Sequence, residues 1–475
     1  MKYLTIVLVI AFSFFCHKCY SAENSPKEVT NIHLKVNGLS DEWVYLYNVH
    51  ENQKSRLDST LTDGVGNAYF KSNELLPQGY YSIILPDSVV LDLLVGEDQV
   101  FSLSTNLTNP IVDMQVEGSL ENELLYSNLK YDLALSESYR TEIEKLKASG
   151  TEISSQFINQ FRSRLFAERN REMIRLCDEN PNTLFAKYYR AQEPPQAVLG
   201  KIMTDKSLSK GERTYLMLDH YWDGVDFSDS RLLNTPVIFN RLSNYFYQFS
   251  PNQTFTKLRA IDVLMEKVAD YPDYYKFFAV WIAEEYQPAK ATKIDEEALY
   301  VHMVDNYLNE ERAFWADSLQ IYAWQYRAGD KAKSLVGKKG QNIEAKDPQD
   351  KMQSLYDIDD PYIAIFFYDA TCEHCQETAP KLATFYQEWK GKGLEVYAVV
   401  MNTPKEEWKA FIKESEMEAM INVTDEDHSD TIFSNYYIMG TPYIYLLNPD
   451  RTIIAKDLLV EEIGRYITLD KQKRE

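Results

Sequence analysis

The spacing of apolar residues changes character twice along this chain of 475 residues. From Asn31 to about Val116, short runs of alternating apolar and polar residues are separated by turn residues, a pattern typical of β-strands. From Glu121 to about Ala332, apolar residues recur every three or four positions, as they do along helices. From Tyr362 onward strand patterns alternate with helix patterns, which favours an α/β arrangement.

These changes predict a multidomain protein. We expect an all-β domain over residues 24–118, an α-helical domain over residues 119–332 and an α/β domain over residues 333–475. The β domain fits either a sandwich or a barrel. A length of 475 residues agrees with three domains of about 150 residues each.

Composition restricts the partners. The chain has 45% apolar and 26% charged residues, so it is globular and not disordered. Its formal net charge is −22, whereas binding to nucleic acid needs clustered positive charge that displaces counterions. We therefore expect no nucleic-acid partner.

The first 22 residues have the features of a secretory signal. Lys2 supplies one positive charge, the largely apolar run from Tyr3 to Phe15 spans 13 residues, and the small residues Ser21 and Ala22 follow. A membrane-spanning helix needs about 18 to 20 apolar residues, so a signal peptide is the stronger prediction. A lipid anchor at Cys16 or Cys19 stays open, although neither cysteine follows a small residue.

Removal of the signal leaves three cysteines in the mature chain, which are Cys177, Cys372 and Cys375. An exported protein meets an oxidising compartment, so a close cysteine pair has redox significance there. Cys177 lies on the apolar stripe of a predicted helix and is expected to be an ordinary buried thiol.

The run Cys372-Glu373-His374-Cys375 follows an apolar strand predicted over Tyr362–Tyr368 and opens a helix. Free backbone amides and the helix dipole stabilise a thiolate at that position, so Cys372 is the predicted nucleophile. Cys375, one turn later, would close a reducible disulfide with it and so carry two electrons. His374 favours the thiolate and a more oxidising pair, whereas Glu373 opposes this.

A structural disulfide or half of a metal site would be the alternatives for this pair. A zinc site needs two more cysteine or histidine ligands, and the remaining histidines show no paired spacing. We expect no metal, and no cofactor other than the disulfide between Cys372 and Cys375.

The run from Phe367 to Cys375, with Pro380 five residues after the second cysteine, resembles the redox motif of the thioredoxin superfamily. Gly440-Thr441-Pro442, which leads into the predicted strand Tyr443–Leu447, resembles the second motif of that family. The resemblance implies a thioredoxin-like fold for residues 333–475. It also implies a cis proline at Pro442 that binds substrate beside Thr441. The wide spacing between the two motifs, with an additional helix near Trp408, resembles the TlpA and ResA-like extracytoplasmic oxidoreductases.

This resemblance implies an exported thiol-disulfide oxidoreductase of the protein-disulfide reductase type. Its expected partners are thiols and disulfides of envelope proteins, together with a membrane or periplasmic electron donor. Its expected location is the periplasm or cell envelope, either free or anchored to the membrane. The β and helical regions resemble the amino-terminal domains of a recurring bacterial envelope architecture, and these carry no known chemistry.

The chain departs from the family at three positions. Thioredoxins have a buried Asp six residues before the first cysteine, where this chain has Phe366. TlpA-like proteins often have a Glu three residues after the second cysteine, where this chain has Thr378. Proton transfer would then fall to Glu377, water or His374. Peroxide-reducing relatives have a Thr three residues before their cysteine, and Asp369 in its place argues against peroxidase chemistry.

A second hypothesis belongs to another functional class. The missing acids at Phe366 and Thr378 would also fit an envelope binding or docking protein. In such a protein the first 330 or so residues would recognise a partner, and the thioredoxin-like domain would be weakly active or structural.

Overall fold

The computed structural model describes residues 29–149, 154–249, 254–288, 295–424, 426, 429–438 and 440–474. The predicted signal segment, with Cys16 and Cys19, lies outside the described residues. No helix in the described part of the chain is both long enough and apolar enough to cross a membrane.

The strands are β1 (Thr30–Asn37), β2 (Trp43–His50), β3 (Gln53–Leu61), β4 (Asn67–Ser72), β5 (Gly79–Ile84), β6 (Val90–Val95), β7 (Val100–Asn106), β8 (Gln115–Glu117), β9 (Glu344–Lys346), β10 (Met352–Ser354), β11 (Tyr362–Tyr368), β12 (Leu394–Val400), β13 (Ile421–Thr424), β14 (Tyr443–Leu447) and β15 (Ile453–Lys456). The α-helices are α1 (Leu120–Ala148), α2 (Ser155–Glu179), α3 (Leu184–Gln192), α4 (Gln196–Thr204), α5 (Lys210–His220), α6 (Pro236–Asn244), α7 (Thr254–Lys267), α8 (Pro272–Glu285), α9 (Glu297–Asn306), α10 (Ser318–Ala332), α11 (Glu373–Trp389), α12 (Lys405–Glu414), α13 (Ser429–Tyr436) and α14 (Val460–Arg474). The expected order of β, helical and α/β regions is confirmed.

The chain forms two compact units. The first comprises the described residues up to Arg190 together with Asn234–Pro236, and the second comprises Ala191–Leu233 and the described residues from Val237 onward. The first unit contains two four-stranded sheets, ordered β4-β1-β7-β8 and β3-β2-β5-β6. Alternate residues of β1 are buried, which is the pattern of a strand with one face on a core. Two separate sheets favour the sandwich over the barrel.

Helix α1 is attached to the β region by a buried amide. Asn122 is fully buried, and its side chain accepts a hydrogen bond from the Leu94 amide and donates one to the Leu94 carbonyl. Ser119 caps the helix by accepting a bond from the Asn122 amide. The change of apolar period near residue 118 therefore coincides with a helix start that is fixed to strand β6.

The second unit contains a seven-stranded sheet ordered β10-β9-β13-β12-β11-β14-β15. Strand β11 pairs in parallel with β12 and antiparallel with β14, and all seven of its residues are buried. Its even-numbered side chains pack in one core with residues of α11, α12 and α14. Its odd-numbered side chains pack in a second core with residues of α13. The strand that precedes the cysteine pair is therefore held from both faces.

A buried lysine joins the helices of this unit to its sheet. Lys456, on β15, is 1% exposed, and its Nζ donates to the carbonyl oxygen of Ser334 at 3.0 Å. The same Nζ lies 3.4 Å from a carboxylate oxygen of Asp295 and also pairs with Glu297 at the start of α9. Burial raises the pKa of Asp295, although Lys456 counteracts this. The positive charge of Lys456 therefore stabilises the ionised form of two carboxylates that are largely removed from water.

Replacing Lys456 with Met should lower the free energy of unfolding by about 3 kcal/mol, because Asp295 and Glu297 would lose their buried cation. Urea unfolding followed by tryptophan fluorescence measures the change. The matched control is Lys405→Met. Lys405 pairs with the exposed Asp350, so its replacement should lower the free energy of unfolding by less than about 1 kcal/mol. Equal effects of the two substitutions would contradict this account.

Candidate active site

The two cysteines lie where the buried strand β11 turns into helix α11. Cys372 is the N-cap residue of the helix, and its carbonyl oxygen accepts the amides of Cys375 and Gln376 at 3.0 and 3.1 Å. The preceding turn is fixed by the Asp369 carboxylate, which accepts bonds from the Thr371 amide and hydroxyl at 2.8 and 2.7 Å. Cys372 is partly exposed, whereas Cys375 is fully buried.

The second sequence motif lies against the first. The Thr441-Pro442 peptide bond is cis, as the resemblance implies, and it immediately precedes β14. Pairing between β11 and β14 places Phe367 opposite Tyr443, so the end of the strand before the first motif lies beside the start of the strand after the second motif. The Sγ of Cys372 lies 3.4 Å from the carbonyl oxygen of Thr441, to which it donates. The structure therefore brings together Cys372, Cys375 and the Thr441-Pro442 peptide.

The two thiols have opposite pKa shifts. Burial acts to raise the pKa of Cys372, but hydrogen bonds from the Cys375 amide and thiol, from Thr441 and from the His374 amide outweigh it and lower the pKa. These donors favour the thiolate, as the helix N-terminus predicts. Burial, with a further contribution from the neighbouring Cys372, raises the pKa of Cys375 to about 12. Cys372 is therefore the nucleophilic thiol and Cys375 the protected one.

Three further predicted site residues lie in the first two turns of α11, and all three are exposed. Glu373 and His374 are exposed side chains in the first turn of the helix. Glu377 is also exposed, and it lies two residues beyond the buried Cys375. Two residues correspond to about 200° around a helix, so Glu377 and Cys375 lie on nearly opposite faces. This geometry does not favour direct proton transfer between them.

The sequence did not indicate a buried polar pair beside the cysteines. The indole Nε1 of Trp408, on α12, donates to the hydroxyl of Tyr368 at the end of β11, at 2.9 Å. The Tyr368 ring stacks on Phe411 of the same helix, with ring centroids 5.2 Å apart. Burial raises the pKa of Tyr368, and the nearby Cys375 adds to the shift. Helix α12 is thereby attached directly to the strand that positions the cysteines.

The third cysteine of the mature chain is predicted to be an ordinary buried thiol. Cys177 is buried, and its Sγ lies 3.6 Å from the sulfur of Met173. In the regions that the structure describes, no group of three or more His, Cys, Asp or Glu side chains is arranged to hold a metal ion.

Comparison with known proteins agrees with this geometry. The AhpC/TSA family model matches residues 336–456, and the model described as Domain of unknown function (DUF5106) matches residues 204–321. The chain is similar to the thiol-disulfide oxidoreductase ResA of Bacillus cereus, with 24% identity over 27% of this chain and 72% of that protein. ResA of Bacillus subtilis is 25% identical over 25% of this chain and 64% of that protein.

Solved structures of similar proteins include a domain of a possible thiol-disulfide isomerase from Cytophaga hutchinsonii. It is 32% identical and covers 29% of this chain and 95% of its own, with a TM-score of 0.28. A thioredoxin-like protein from Bacteroides caccae is 19% identical, covers 55% of this chain and 94% of its own, and has a TM-score of 0.46. The family match and the curated relatives establish the carboxy-terminal domain as a thioredoxin-like domain.

The opposite pKa shifts predict unequal alkylation of the two thiols. In the reduced protein, the rate of Cys372 alkylation by iodoacetamide should rise with pH and level off below the pH at which an ordinary cysteine does. Cys375 should stay unmodified at neutral pH because its pKa is about 12. Mass spectrometry of peptides from a pH series distinguishes the two sites. In Cys375→Ala the midpoint for Cys372 should move upward, because the Cys375 thiol no longer donates to it. Equal titration of both thiols would be inconsistent with the geometry.

The hydrogen bond between Trp408 and Tyr368 predicts that the effects of replacing its two partners on stability are not additive. Tyr368→Phe should lower the free energy of unfolding by about 2 kcal/mol, since it leaves the buried indole N–H without an acceptor. Adding Trp408→Phe in the same chain should cost less than the sum of the two single substitutions, because the unsatisfied donor is then also removed. A double-mutant cycle in urea measures this coupling, and strict additivity would show that the bond contributes nothing.

Proposed function

We propose that this chain, whose carboxy-terminal domain belongs to the thioredoxin-like thiol-disulfide oxidoreductases, reduces disulfides of proteins in the cell envelope through Cys372 and Cys375. One observation carries the proposal. A thiol with a lowered pKa lies at a helix N-terminus beside the Thr441-Pro442 peptide, and a protected thiol follows one turn later. This arrangement supports attack on an incoming disulfide followed by intramolecular release.

The reaction proceeds in two exchanges. The Cys372 thiolate attacks one sulfur of the substrate disulfide, a new bond forms between them, and the other substrate sulfur leaves as a thiolate that takes a proton from water. The deprotonated Cys375 then attacks the Cys372 sulfur. The Cys372–Cys375 disulfide forms and the second substrate thiolate leaves. The substrate gains two electrons from the cysteine pair, and an electron donor then supplies two electrons and two protons that restore the Cys372 and Cys375 thiols.

Deprotonation of Cys375 limits the second exchange. Its raised pKa has two causes, which are burial and the neighbouring Cys372. Formation of the mixed disulfide removes the Cys372 charge, so only the contribution of burial remains. The fully buried Phe366 occupies the position where thioredoxins have a carboxyl group. We infer that the proton of the Cys375 thiol passes to water at the rim of the site, where Glu373 and His374 are exposed. The second exchange is therefore slow.

The edge at Thr441 and Pro442 would bind the substrate backbone beside the reacting sulfur. The signal-like first 22 residues support export, and the relatives named ResA support an oxidoreductase of that type. We expect His374 to favour the dithiol form and the reduction potential to lie between about −180 and −250 mV. A membrane or periplasmic donor of electrons would then complete the cycle, and the disulfide would be the only redox group.

A docking role is the second candidate function. It is favoured by one feature, the apolar Phe366 stacked on Tyr368 where the family places an acid. In that case the pair would exchange slowly or not at all, and the regions before Ser334 would carry the function.

Thiol trapping of the mature protein across a series of glutathione buffers tests the proposal. We expect one reversible two-electron transition between about −180 and −250 mV, lost in Cys372→Ser and retained in Cys177→Ser. The transition would establish the oxidoreductase, and a potential outside the window would refute the role given to His374. A pair that never titrates would refute the reductase function and favour docking.

A further inference from the structure

A groove of about 390 Å³ opens directly beside the redox motif. One wall is formed by Thr371, which precedes Cys372, and by Pro380 of α11. The other wall is the face of α12 that carries Glu407, Ala410 and Glu414. Phe411 is buried at the base of this face, where its ring stacks on Tyr368.

The lysines Lys409 and Lys413 of helix α12 lie on the side of the helix away from the groove. Glu407, Ala410 and Glu414 are spaced by three, four and seven residues, so they lie on one side of the helix. Lys409 and Lys413 lie about 200° and 240° around the helix from Glu407, on the far side. The groove is therefore bordered by two carboxylates and by none of the lysines of its own helix.

Across the described residues, no lysine, arginine or histidine pairs with Glu407 or Glu414, whereas the neighbouring Glu406 pairs with Lys409 at 3.7 Å. None of the residues that line the groove is basic. Seven residues of helix separate the two carboxylates by about 10.5 Å along the axis, too far for them to share one metal ion. Their charge therefore suits an extended ligand with separate positive groups.

The chemistry at Cys372 determines what occupies the groove. A mixed disulfide with Cys372 holds a substrate polypeptide at this sulfur, and the chain on either side of the substrate cysteine must leave the site along some surface. The Thr441-Pro442 edge provides one such surface, because Thr441 lies against the Sγ of Cys372. The groove begins at Thr371 on the redox loop and provides the other.

We propose that this groove binds the segment of the substrate polypeptide next to its reacting cysteine, and that it selects segments with an apolar side chain flanked by lysine or arginine. The apolar side chain would pack on Ala410, Phe411 and Pro380, and the basic groups would pair with Glu407 and Glu414. This inference rests on the proposed oxidoreductase function and names its substrate class.

The test uses the reduced full-length protein and short peptides with a central leucine-cysteine pair. The cysteine carries a thionitrobenzoate group through a disulfide. Attack by the Cys372 thiolate on the peptide sulfur forms the mixed disulfide, breaks the bond to thionitrobenzoate and releases that coloured thiolate with the electron pair. Two peptides differ only in their flanking residues, which are lysines or glutamates.

We expect the lysine peptide to react about tenfold faster than the glutamate peptide at low salt, with a smaller ratio at high salt. The double variant Glu407→Gln/Glu414→Gln should reduce the ratio to about two or less. The control Glu406→Gln/Glu416→Gln removes the same charge from exposed positions outside the groove and should keep the wild-type ratio. The matched charge separates the groove from the general attraction of an acidic protein for lysine.

A neutral disulfide distinguishes failure of the oxidoreductase function from failure of the groove assignment. Hydroxyethyl disulfide should be reduced at the same rate by all three proteins, and that reaction should vanish in Cys372→Ser. Loss of that reaction in the wild type would overturn the proposed function. Normal reduction of the neutral probe with equal rates for the two peptides, or with the same ratio in both double variants, would overturn the groove assignment alone.

Discussion

The burial of strand β11 on both faces is the constraint on which the redox site depends. Every side chain from Tyr362 to Tyr368 is removed from water, so the strand cannot shift along its neighbours without exposing apolar surface or breaking its pairing. Its end therefore fixes the position of the turn at Asp369 and of the helix start at Cys372. The difference between the two thiols follows from this, because Cys372 remains at the rim with amide donors while Cys375 is carried into the core.

Local patterns predicted the elements around the site well, for a physical reason. The strands Tyr362–Tyr368 and Tyr443–Leu447 agree with the structure to the residue, since each is a continuous apolar run bounded by turn residues. Strands β9, β10 and β13 were not predicted. They have three or four residues each, too few for a period to appear. Helix α13, near the acidic residues that follow Thr424, also lacks a clear period.

Some features of the site could likewise be predicted from the sequence, and others could not. Cys372, Cys375 and the cis bond at Pro442 could be inferred because each lies in a short motif with its own chemistry. The bond between Trp408 and Tyr368 could not, since its partners are 40 residues apart and each looks like an ordinary core aromatic. For Glu377, nearness to Cys375 in the sequence suggested a role in proton transfer that the geometry does not favour. It is close to Cys375 in sequence, but the helix directs it toward solvent while Cys375 faces the core.

Helix α12 connects the core to the chemistry of the surface. Its buried side, Trp408 and Phe411, is fixed to the last residue of β11, so the position of its exposed side relative to Cys372 is set by the same packing that sets the thiols. A groove wall attached in this way needs little ordering when a ligand arrives, which lowers the entropic cost of binding. The two carboxylates on that wall influence selection through charge, without changing the donors that lower the pKa of Cys372. Substrate preference and thiol reactivity can therefore vary independently in this domain.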